Sequence, residues 1–178
     1  MKRYTASIDT QLPIIGIDIG YSAQTASCAL TDSGSRSTQT MQFGECIETT
    51  RHLLEKNGRH TIILEAVLST YHRPSGNPDI RGDFEKGRGW YHGPGVATFA
   101  AAIRFLQVLD QKLPKEIRPI PIVEGFLSYK KTRTQHADDA QRLLKEFFTA
   151  ERFKARSGSE PIIPEIEGIP SIVRYNRP

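Results

Sequence analysis

The segment Ile14-Ile15-Gly16-Ile17-Asp18-Ile19-Gly20 constrains this chain more than any other stretch. It is a β-branched run of strand length and reads as a buried strand, yet it carries one carboxylate with a glycine two residues to either side. Removing an ionised Asp from water is costly unless a cation or a set of donors meets it. Asp18 is therefore expected to face a metal, a donor cluster or a cleft. The plain structural alternative is an Asp that caps a turn at the end of its strand.

The elements that follow are placed by pattern. Ala23 to Leu30 holds small and β-compatible residues and precedes a turn signal, Thr31-Asp32-Ser33-Gly34-Ser35. Ser37 to Phe43 alternates weakly, so the first 43 residues read as an antiparallel meander of three strands. Glu45 to Lys56 is expected to be a helix with Ile47, Leu53 and Leu54 inward and Asn57-Gly58 as its stop. Thr61-Ile62-Ile63-Leu64-Glu65-Ala66-Val67 repeats the opening oddity, an apolar strand with a carboxylate towards its far end.

Residues 69 to 95 break the pattern, with glycines interleaved among Tyr71, Arg73, Arg81, Phe84, Lys86, Arg88, Trp90 and Tyr91. A loop of that length in a compact domain is usually functional or mobile. Helical spacing returns at Val96, Phe99, Ala100, Ile103, Leu106 and Leu109, predicting a helix over 95–111. Ile117 to Val123 reads as a short edge strand, given Pro119 and Pro121, and Glu124 and Gly125 close it. Thr132-Arg133-Thr134-Gln135 has the form of a capping box and opens a helix to about Ala150, with Ala140, Leu143, Leu144, Phe147 and Phe148 as its buried stripe.

A length of 178 residues accommodates one domain with tails. We divide it into a polar lead-in over 1–12, a domain over 13–150 that includes the 69–95 loop, and a Pro-rich tail over 151–178. The net charge of +4 permits a polyanionic partner without demanding one. Cys28 and Cys46 lack the spacing of a disulfide framework or a zinc site, which suits a reducing cytoplasm. Neither a signal peptide nor a membrane span is expected, so no membrane partner is assigned.

Three strands, helix, strand, helix, strand, helix is the order that results, with carboxylates on the first strand, at the end of the fourth and on the last helix. This order resembles the ribonuclease-H-like fold. Gly16 to Gly20, Glu65 and His136-Ala137-Asp138-Asp139-Ala140 resemble the acidic site of Holliday-junction resolvases of the RuvC type. In that family the first strand carries Gly-x-Asp-x-Gly, a Glu ends the fourth strand, and the last helix carries His-Ala-x-Asp-Ala. The family usually has Pro where this chain has Ile19. The fold expected is α/β, a mixed five-stranded sheet of three antiparallel strands followed by alternating helices and strands, with helices on both faces. A homodimer is expected on the same analogy.

Helix geometry separates the two adjacent aspartates independently. His136, Asp139 and Leu143 lie on nearly one face, whereas Asp138 points away from His136, so Asp139 is the expected ligand. Phosphodiester hydrolysis must stabilise charge on phosphorus and activate water, which two divalent cations roughly 3.5 to 4 Å apart accomplish together. Mg²⁺ or Mn²⁺ is the expected cofactor, and Mg²⁺ prefers oxygen ligands. Asp18 would bridge the metals, Glu65 and Asp139 would each hold one, and His136 would serve as a further ligand or handle a proton. Asp18, Glu65, His136 and Asp139 are thus the candidate catalytic set.

Lys130, Lys131 and Arg133 form the densest basic run and are candidates for phosphate contact. Arg88 and Trp90 are candidates for clamping or stacking on unpaired bases. The partner expected is nucleic acid, with DNA ranked ahead of RNA. Two other readings remain open: a non-catalytic nucleic-acid-binding or interaction module on the same fold, and a nucleotide phosphohydrolase of the actin-like or sugar-kinase-like kind, where Gly-x-Asp-x-Gly also occurs. His52, His60, His72 and His92 show no metal spacing, and Ser22, Cys28 and Cys46 have no evident base partner.

Overall fold

Side chains alternate between the two faces of a strand, and this alternation sets the layering. In β1 (Ile14–Asp18), Ile15 and Ile17 enter one core cluster and Ile14 enters another on the opposite face. The computed structural model describes residues 12–58, 60–71, 73–77, 94–117, 120–125, 134–149 and 159–161. Its further elements are β2 (Cys28–Asp32), β3 (Ser37–Met41), α1 (Phe43–Asn57), β4 (Thr61–Glu65), β5 (Ser69–Tyr71), α2 (Pro94–Lys112), β6 (Ile122–Gly125), α3 (His136–Thr149) and β7 (Ser159–Pro161).

The architecture is α/β. Five strands form a mixed sheet in the order β3-β2-β1-β4-β6, antiparallel across β3-β2-β1 and parallel across β1-β4-β6. Helices cover both faces. One face carries α1 and α2 on a large core built from Ile15, Ile17, Leu54, Ile62, Leu64, Phe105 and Leu106. The other carries α3, whose Leu143 and Phe147 pack on Ile14, Ile63 and Val123. Each such fully buried Leu, Ile or Phe contributes about 1.5–3 kcal/mol. Among the described residues no helix is long and apolar enough to cross a membrane.

Several boundaries differ from the sequence reading for physical reasons. The second strand starts at Cys28 rather than Ala23 and runs through Thr31 and Asp32, which had read as turn residues. Asp32 is buried there because its carboxylate accepts the N–H groups of Gly34 and Ser35 at 3.0 Å each and so caps the turn from inside the strand. Helix α1 starts two residues early, at Phe43, with Gln42 N–H donating to Glu45 at 2.9 Å as half of a capping box.

Residues 115–117 form a single 3₁₀ turn, and the edge strand begins only after Pro121. That strand keeps Glu124 and Gly125, in register with Leu64 and Glu65 of β4. Helix α3 begins at His136, not at the expected capping box; Gln135 stands before it, its carbonyl accepting Asp139 N–H, and Thr132 lies outside the described residues. From the segments expected to be loop and tail, Ser69–Tyr71 and Ser159–Pro161 pair as a short antiparallel ribbon. The lead-in over 1–11 and the rest of the tail lie outside the described residues.

Candidate metal centre

Asp18 ends β1 and Glu65 ends β4, and the strands are parallel neighbours with Ile17 opposite Leu64. The next residue on each, Asp18 and Glu65, therefore leaves the sheet side by side at the same end. Alternation aims both at the face that α3 covers, since Ile14 and Ile63 share that face with Leu143. Helix α3 approaches closely because the strands beneath it carry glycines. A Cβ on Gly16 would lie 3.1 Å from the Ala140 carbonyl oxygen, and one on Gly125 would lie 2.6 Å from Leu143 Cδ2. The first turn of α3 thereby reaches the carboxylates.

Three acidic side chains meet there. Asp18, Glu65 and Asp139 each place a carboxylate oxygen so that all three lie within 4.8 Å of one another, and all three residues are buried. Asp138, one residue earlier on α3, is exposed. Both lie in the first turn of α3, where the unpaired N–H groups favour negative charge.

Two neighbours hold the acids in place. Thr134 Oγ1 lies 2.7 Å and 2.9 Å from the two oxygens of Asp139, so its one hydroxyl proton serves either. His136 Nδ1 lies 2.6 Å from Asp18 Oδ2. A carboxylate can only accept, so Nδ1 carries the proton and Nε2 is the ring nitrogen that remains for a reacting oxygen or a water. The His136 side chain is 48% exposed while that of Asp18 is 11% exposed, so the pair spans from the buried acids to solvent.

Compared with protein-family models, curated proteins and solved structures, the chain matches none.

Two thiols lie in the core cluster on the α1 face, near the Asp18–His136 pair. Cys28 and Cys46 are both fully buried and unbridged. Cys28 Sγ–H donates to the Gly20 carbonyl at 3.1 Å. The Cys46 thiol beside it, acting as donor, draws the Cys28 thiol down to about 7 against the opposing effect of burial. The same contact, together with burial, pushes Cys46 well up.

Thr134 and Glu124 escaped the sequence reading as supporting residues. Glu124 is buried in β6, and its Oε2 accepts Leu68 N–H at 2.7 Å, holding the chain as it leaves β4. Alternation places it on the face opposite Glu65, because Ile122 belongs to the α1–α2 core and Val123 to the α3 core. The signal available was the one noted twice already, a carboxylate ending an apolar strand. Thr134 carried no such signal. Lys130, Lys131, Arg133, Arg88, Trp90, Tyr91, His72 and His92 lie outside the described residues. His60 is buried with Nδ1 2.9 Å from the Gly58 carbonyl, and His52 is exposed on α1.

Proposed function

We propose that this chain is a divalent-metal-dependent nuclease of ribonuclease-H-like fold, similar to RuvC-type resolvases, that hydrolyses phosphodiester bonds in structured or branched nucleic acid, DNA ahead of RNA. One observation carries the reading: carboxylates from β1, β4 and α3, remote in sequence, converge within 4.8 Å at one end of the sheet. The set is all oxygen, carboxylate and buried, which fits a hard cation such as Mg²⁺ or Mn²⁺ and does not fit a thiolate-seeking metal.

Asp18, Glu65 and Asp139 would hold the ion or ions, which when bound supply charge stabilisation at phosphorus and a more acidic water. Asp18 lies on the central strand, which pairs with β4 and packs under α3. Thr134 fixes the Asp139 carboxylate, and Asp18 fixes the His136 ring with Nε2 turned away from the hydrogen bond. At Nε2 the imidazole can take a proton from an attacking water or return one to a leaving oxygen.

The test is cleavage of labelled four-way junctions, single strands and hybrids with Mg²⁺ or Mn²⁺. Wild type is expected to cut at least one branched substrate, and Asp18→Asn and Asp139→Asn are expected to lose at least about a hundredfold in rate. Undiminished cutting by both variants would place the chemistry elsewhere.

A further inference from the structure

Tyr21 is 72% exposed, the highest value among the large hydrophobic side chains of the described residues. Single exposed aromatics are common, but this one is fixed. Its ring makes a T-shaped pair with Phe43, with centroids 5.0 Å apart and planes at 85°, and Phe43 meets fully buried Phe105 in the same way at 6.3 Å. The loop that carries it is tied to itself. Ser22 N–H donates to Ser27 Oγ at 3.1 Å, and Ser22 Oγ accepts from Gln24 N–H, Thr25 N–H and the Thr25 hydroxyl. Gly20 is needed at the base of the loop, because a Cβ there would lie 2.4 Å from the Ser27 carbonyl oxygen. Anchored on Phe43, the ring keeps most of its surface in water.

The position matters as much as the exposure. Tyr21 follows Asp18 by three residues, which limits their Cα separation to about 10 Å. It leaves the sheet at the end where Asp18 and Glu65 meet. Phe43 and Phe105 belong to the α1–α2 side and Asp139 to the α3 side, so the ring stands across the strand end from α3. A nucleotide flanking a phosphodiester at the carboxylates would meet the ring by crossing the strand end.

We propose that Tyr21 is a base-stacking residue that receives an unpaired nucleobase beside the phosphodiester held at Asp18, Glu65 and Asp139. This rests on the nuclease reading above and narrows its substrate class. A ring stacks on a base only where the π-face of that base is open, and continuous duplex closes those faces. Substrates splayed or single-stranded at the cleavage point are favoured over continuous duplex.

The experiment uses the full chain with Ca²⁺ in place of Mg²⁺ and follows fluorescence anisotropy of a labelled oligothymidylate and of a duplex of equal length. Tyr21→Ala is expected to weaken oligothymidylate binding roughly five- to a hundredfold, with duplex binding moved far less. Tyr21→Phe and Tyr21→Trp should stay within about threefold of wild type, since stacking needs the ring and not the hydroxyl. With Mg²⁺, the Ala variant should lose in KM for a splayed substrate while kcat holds. Thermal melting checks that each variant is folded.

Unchanged oligothymidylate binding by Tyr21→Ala overturns the proposal, as does an equal loss on duplex or a Phe variant as weak as Ala. Binding without cleavage, with the Ala loss intact, sinks the nuclease reading and leaves the stacking role standing on affinity. Failure of wild type to bind either probe overturns both.

Discussion

Replacing Glu65 by Gln is expected to stabilise the metal-free protein and to remove most of the stability it gains from metal. Carboxylate oxygens of Asp18, Glu65 and Asp139 lie within 4.8 Å of one another. At that separation two unit charges repel by about 3.5 kcal/mol at an effective dielectric of 20 and by about 0.9 kcal/mol at 80. The three residues are at most 9% exposed, which favours the lower dielectric. Gln at 65 relieves two of the three pairs, a gross gain of roughly 2 to 7 kcal/mol, against which a buried amide left imperfectly paired costs about 1–3 kcal/mol. A net gain of even 1 kcal/mol raises the melting temperature of a chain this size by about 2–4 °C. Metal acts oppositely, since ligand at a hundred times its Kd stabilises wild type by about 2.7 kcal/mol. The assay is thermal melting over a Mn²⁺ titration, with the curves expected to cross, the variant melting higher without metal and lower with it. A variant that melts lower without metal yet keeps the full metal response would refute a common charge cluster.

Gly16→Ala should cost about 1–3 kcal/mol in urea unfolding and weaken Mn²⁺ binding in calorimetry, because the new methyl meets the Ala140 carbonyl and Thr31 Cγ2 at 3.1 Å and lifts α3 from β1. Gly44→Ala is the control, with nothing within 4 Å of the added carbon, and should be neutral or stabilise by up to about 1 kcal/mol. Thr134→Val removes the hydroxyl that fixes Asp139 and is expected to lower Mn²⁺ affinity roughly tenfold while the fold persists by circular dichroism. At Asp32, burial pushes the carboxyl up, but hydrogen bonds from the Ser35 hydroxyl and the N–H groups of Gly34 and Ser35 outweigh it and hold the group below its ordinary 3.8. A folded-state value below the unfolded one contributes stability that is full above the unfolded value and is lost as pH falls through the folded one. The urea-midpoint gap between wild type and Asp32→Asn should therefore be constant above about pH 5 and close as pH drops past 3.8.

What was legible in the sequence follows from what is local. The apolar runs of β1 and β4 and the helical stripe of α3 are properties of single segments, and from them come the buried strands and the choice of Asp139 over Asp138 for the inward face. The misplaced boundaries share a different cause, side chains that satisfy the backbone at a distance. Asp32 reads as a turn residue because its oxygens serve the turn, while its own backbone pairs with Ser37 and Ile15 inside the sheet. Gln42 is a poor N-cap by composition, yet Glu45 three residues on completes the reciprocal bond. Glu124 and Gly125 read as the close of their strand and are its last two residues, held there by pairing with Leu64 and Glu65 of β4.

The glycines of the first motif divide their labour in a way the motif alone does not disclose. Gly16 faces the Ala140 carbonyl and Leu144, and a larger residue there would hold α3 away from β1. Gly20 faces the Ser27 carbonyl and closes the loop that carries Tyr21. One glycine therefore sets how near Asp139 comes to Asp18, and the other sets where the aromatic ring stands beside them. Asp18 between them has its charge met from α3 by the His136 imidazole at 2.6 Å, with two further carboxylates at its side. A strand that buries a carboxylate beside two others is at odds with its own stability unless a cation relieves it, which is why metal-dependent melting distinguishes a working centre from an acidic cluster.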